Sequence, residues 1–166
     1  MAALKPSRRE EAGLTLTEVA VVMIIGTMIM AGLVGFYLAS QGLWLDASTQ
    51  AITQREASLV ASAIRDSVRS SAFALVSSAP DSLHEQLALY RKVGDPVPCY
   101  YFWWDAGDSL VHAGSTVGGA GSGPMVDSRA ERFQLASTPR GVRMDLRLRT
   151  ATGSTVEVGT FAVFMD

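Results

Sequence analysis

Hydrophobic and polar positions are distributed very unevenly along the chain. Residues 19–45 contain no Asp, Glu, Lys, Arg or His and are interrupted only by small or weakly polar residues such as Thr27, Ser40 and Gln41. A helix rises about 1.5 Å per residue, so about 20 apolar positions cross roughly 30 Å of hydrocarbon, and this run predicts a transmembrane helix. A secretory signal peptide fits poorly, because its apolar region is typically about 7–15 residues followed by a small-residue cleavage site. Lys5, Arg8 and Arg9 precede the run and the first charge after it is Asp46. That asymmetry predicts a cytoplasmic amino terminus with the remainder outside.

Residues 46–79 contain neither proline nor glycine. Ile52, Leu59, Val60, Ala63, Ile64, Ser67, Val68, Ser71, Ala72, Leu75 and Val76 recur there at the spacing of one helical face, while Arg55, Glu56, Arg65, Asp66 and Arg69 lie largely off it. The expectation is one continuous helix over residues 14–79, about 100 Å long, apolar in its first half and amphipathic in its second, ended by Pro80 and Asp81. Residues 82–91 fit a short helix or an ordered loop.

Strand patterns begin at Val97. "VPCYYFWW" is dense in aromatic residues, "DAGDS" is a turn and "LVHAG" pairs back as a hairpin. On a strand Tyr100, Phe102 and Trp104 point one way and Tyr101 and Trp103 the other, which suits core packing first and a subunit contact second. "GSTVGGAGSGP" is a flexible loop by composition. "ERFQLAS" then leads through "TPRG" into "VRMDLRLRT", where Val142, Met144, Leu146 and Leu148 alternate with Arg143, Asp145, Arg147 and Arg149. A turn at "ATGS" and a second alternating run through Val156, Val158, Thr160, Ala162 and Phe164 complete an antiparallel meander. Its apolar face needs a cover, which the amphipathic helix half supplies, so the fold class is α+β.

Charge and candidate chemistry change this picture little. A net charge of −2 with dispersed basic residues gives no reason to expect nucleic-acid contact. The single cysteine, Cys99, excludes an intrachain disulfide and a multi-cysteine metal site, and reads as a small buried hydrophobe. His84 and Glu85 lack the second histidine of a zinc-protease helix, since Ala88 stands there. His112 reads as a strand residue without a completing ligand set. Asp105 and Asp108 offer too few oxygens for calcium by themselves. Ser122 lacks the glycine two places before it that a nucleophile elbow requires. The chain is therefore expected to be neither an enzyme nor a cofactor or metal protein.

One motif goes further. "GLTLTE", Gly13 to Glu18, follows a short leader and opens the apolar run, and it resembles the amino terminus of type IV prepilins and of the pseudopilins of type II secretion systems. "QREASLVASAIRDSVRSSA" ahead of a strand-rich end resembles, more loosely, the minor pilins and J-type minor pseudopilins. The resemblance implies a pilin-like fold: leader 1–13, assembly half of the helix 14–45, amphipathic half 46–79 and a β head 80–166. It implies cleavage by a prepilin peptidase between Gly13 and Leu14, N-methylation of Leu14, and an assembly role for Glu18. It further implies other pilin or pseudopilin subunits, the inner membrane and, indirectly, an assembly platform and ATPase as partners, with the head periplasmic or extracellular. Departures from the family pattern are Leu14 in place of phenylalanine, Thr17 before the glutamate, and the lack of proline in the apolar run.

Physics supplies a reason to keep Glu18. A carboxylate at mid-membrane costs on the order of 3 kcal/mol, whereas a carboxylate and an amine about 4 Å apart at an effective dielectric near 20 attract by roughly 4 kcal/mol. Meeting the new amine of a neighbouring Leu14 would make Glu18 a register device. Ala31, Gly35 and Ala39 form a small stripe that permits close helix approach. The rival expectation is a single-pass anchored periplasmic binding or sensor domain that never polymerises.

Overall fold

The computed structural model describes residues 15–78, 85–117 and 121–164. The processing pair Gly13 and Leu14, the leader, and Pro80, Asp81 and His84 lie outside the described residues. The chain divides between Trp44 and Leu45 into two compact units.

Helix α1, Leu16–Arg69, runs through both units. In the first unit its apolar residues are exposed, Met28 at 71% and Phe36 at 75% among them. This helix is long and apolar enough to cross a membrane, and none of its apolar window is buried. In the second unit Thr53, Ala57, Val60, Ala61, Ile64 and Val68 form its buried face. An amphipathic half is present as expected, but its face is turned: Val60, Ile64 and Val68 are buried as the spacing predicts, whereas Ile52 and Leu59 are exposed and Thr53, Ala57 and Ala61 take the core side. It packs on antiparallel sheets to give an α+β unit.

The helix ends ten residues earlier than expected. The Ser70 and Ser71 hydroxyls both turn back to the Ser67 carbonyl, and the Ser71 amide donates to Val68 in a tightened last turn. Serines that satisfy backbone groups locally compete with helix propagation. The chain then extends as β1, Phe73–Ser78, paired with β2, Glu85–Tyr90. Leu75 and Val76 fit a helical stripe, but over so short a run they fit a strand as well. Residues 85–90 likewise are strand, not helix or loop, with Leu87 and Leu89 buried.

The expected single meander is also corrected, because there are two sheets. Strands β1, β2, β3 (Tyr100–Asp105), β4 (Leu110–Gly114) and β5 (Gly123–Pro124) form one sheet in that order. The second sheet is the meander read from the sequence: β6 (Arg129–Thr138), β7 (Gly141–Arg149) and β8 (Thr155–Val163). One apolar core joins α1 to both sheets, with Val60 and Ile64 from the helix, Leu87 and Phe102 from the first sheet, and Phe133 and Leu146 from the second. Phe102 and Trp103 are both buried, on opposite faces of β3, and Trp103 stacks on His112. Cys99 is exposed, contrary to the buried hydrophobe expected. Its amide bonds the Leu89 carbonyl at 2.7 Å while its side chain faces out.

Candidate functional site

Glu18 occupies the first turn of α1 and Thr15 immediately precedes the helix. The Thr15 amide donates to Glu18 Oε2 at 2.8 Å and the Thr15 hydroxyl donates to the same oxygen at 2.9 Å. In return the Glu18 amide faces Thr15 Oγ1 at 3.4 Å. This is a capping box, in which a threonine before the helix and a glutamate three residues on satisfy each other's amides. The carboxylate also sits at the positive end of the helix dipole. The T-x-x-E spacing ahead of an apolar run is the sequence signal for this local role. Both Thr15 bonds converge on Oε2, and among the described residues none reaches Oε1.

Ala31, Gly35 and Ala39 lie on the exposed length of α1, and a side chain built on Gly35 would meet open space. The same holds for Gly26, Gly32 and Gly42. Polar groups on this stretch turn inward to the helix itself: the Thr27 hydroxyl donates to the Ile24 carbonyl at 2.8 Å, and the Gln41 amide donates to the Tyr37 hydroxyl at 2.6 Å. The surface left to a neighbour is hydrocarbon and small residues, which suits lipid or another apolar helix.

In the second unit the β3–β4 turn gathers Asp105, Asp108 and His112, whose ligand atoms lie within 4.8 Å of one another. His112 thus has two carboxylate neighbours, which the sequence reading denied it. Each group already has a partner. Asp105 accepts from the Gly107 amide, Asp108 accepts from the Leu110 amide at 2.9 Å, and Asp108 Oδ2 lies 2.8 Å from His112 Nε2. Burial pushes the Asp108 carboxyl up, but the Leu110 amide and His112 together outweigh it and hold the group below the ordinary aspartate range. The arrangement reads as a braced hairpin turn.

A polar groove of about 810 Å³ runs beside α1 at Thr49 and Thr53. Within it Thr53 pairs with Ser128 at 3.3 Å, and Glu56 accepts from the Ser128 amide at 3.1 Å.

No protein family, curated protein or solved structure matches the chain.

Proposed function

We propose that this chain is a structural subunit, a minor one, of a filament of the type IV pilus or type II secretion pseudopilus kind. A prepilin peptidase cuts it between Gly13 and Leu14, Leu14 is N-methylated, and the subunit assembles through the first half of α1. The observation that carries the reading is the character of that helix. One continuous element is exposed and apolar where it opens and buries an amphipathic face against a β unit where it ends. The first stretch needs lipid before assembly and neighbouring helices afterwards. Glu18 supports the reading because Oε2 caps the helix while, among the described residues, no donor takes Oε1, which a cationic amine could then use.

The same capping box favours a second reading. A glutamate that satisfies its own helix needs no assembly partner to account for it, and a plain single-pass anchored binding or sensor domain would keep it too. Intact mass and amino-terminal sequencing of protein recovered from its native membrane separate the two. Assembly predicts a chain starting at methylated Leu14, with Glu18→Ala then lost from filaments. A chain retaining residues 1–13 in cells with an active prepilin peptidase refutes assembly and leaves the anchor.

A further inference from the structure

Strand β8 is the outer strand of its sheet, nine residues long, and its register with β7 runs without a break from Thr155 to Val163. Natural edge strands are commonly blunted by lysine, proline or a bulge. Strand β8 has neither residue, and its one charge, Glu157, is on the outward face in an ion pair with Arg147. Its core-side face is only partly covered. Val142, Met144, Leu146 and Leu148 on the same face of β7 are buried, whereas Val156, Val158 and Thr160 on β8 are half-buried. Alongside lies a groove of about 450 Å³, bounded by β8 at Val158 and Thr160 and by the flank of α1 at Arg55, Leu59, Ser62 and Arg65. Leu59 is 52% exposed there. Both charged side chains on the groove are arginines, and the Arg65 guanidinium is fixed across it by donating to Thr160 Oγ1 at 2.9 Å.

We infer that β8 and this groove form a docking site for an extended segment of a different polypeptide, which adds as a fourth strand and turns carboxylates inward to Arg55 and Arg65. Strand addition places main-chain groups against the open edge and alternate side chains into the adjoining groove. The occupant is not a second β8. In a self-pairing the inward residues are Val156, Val158 and Thr160, none of them acidic, and the two arginines go unanswered. Charge complementarity selects a non-identical, acidic partner strand. The inference rests on the second unit alone and does not depend on filament assembly.

The test uses the full chain in detergent and synthetic peptides of about ten residues, a common strand length. One alternates glutamate with valine, one lysine with valine, and one is the glutamate peptide N-methylated at every backbone nitrogen. The glutamate peptide is expected to bind saturably with a micromolar Kd and to slow amide exchange in β8 by about tenfold or more. The N-methylated peptide should bind at least about tenfold more weakly, since it has no backbone donor to offer β8. The double variant Arg55→Glu, Arg65→Glu, verified as folded by circular dichroism, should switch preference to the lysine peptide. Three results would each overturn the inference: no binding of the glutamate peptide up to about 1 mM, equal binding of the N-methylated peptide, or a preference that ignores the charge reversal. A β8-mediated dimer of the chain that excludes the peptide would instead assign the edge to a second copy, against the inference.

Discussion

Replacing Gly141 by alanine should split the second sheet. An ideal Cβ at Gly141 would stand 1.8 Å from the Ala162 carbonyl oxygen and 2.8 Å from its carbon. Ordinary contact is about 3.4 Å, so β8 would have to retreat from β7 by roughly 1.5 Å, and the obstacle is backbone, which has no rotamer to yield. The strand end cannot simply swing away, because the Phe164 amide donates to the Arg140 carbonyl at 3.0 Å just beyond it and Ala162 is 1% exposed. Losing about two ladder hydrogen bonds near 1 kcal/mol each, with some loosening of buried contacts, gives a cost of about 2–4 kcal/mol. For a unit of this size that is a fall in Tm of about 8–15 °C. Gly159→Ala on the neighbouring strand is the control. Its Cβ would meet only the Met144 carbonyl at 3.9 Å, and removing glycine from a strand interior is worth up to about 1 kcal/mol. Thermal unfolding of the full chain in detergent, followed by tryptophan fluorescence, should show the first variant well below the parent and the second level with it or above. Equal shifts, or a Gly141→Ala variant within about 2 °C of the parent, would refute the close-approach argument.

Two further outcomes follow from the core and the turn. Phe133 is fully buried opposite Leu146, so Phe133→Ala should cost about 3–5 kcal/mol, read as a lower urea midpoint at unchanged slope. Because the Asp108 carboxyl is held below its unfolded value, near 3.9, its contribution is present above about pH 4 and is lost as pH falls through the lower, folded value. Melting temperatures from pH 6 down to pH 2 should therefore drop less steeply for Asp108→Asn than for the parent; parallel curves would refute the role given to the turn.

The elements legible in the sequence were those with a long, unmixed period. Residues 19–45 read as one long apolar helix, and the alternation from Val142 to Leu148 and from Val156 to Ala162 gives the strands and the core-side face of each. Residues 70–90 were not legible, because Leu75, Val76, Leu87 and Leu89 satisfy either period over such a short stretch. What decides them is pairing between β1 and β2, a contact at a distance along the chain. The partners of His112 were hidden for a related reason: the hairpin folds Asp105 and Asp108 onto a strand that the sequence separates from them by a turn. The capping role of Glu18 went unread although the T-x-x-E spacing carries it, because Thr15 gains that meaning only from where the helix starts.

The two borders of the second sheet differ. At β6 the Glu85 carboxylate accepts the Leu135 amide, and the Ala130 amide donates to the Ser109 carbonyl at 2.8 Å, so that side is sealed by the molecule itself. At β8 no such seal exists among the described residues. A sheet closed on one side and open on the other is a chain terminator for its own kind: copies of this chain meeting edge to edge stop at two, since neither offers a second border from which growth could continue. The runaway stacking of identical chains that makes two-sided edges hazardous has no route through it.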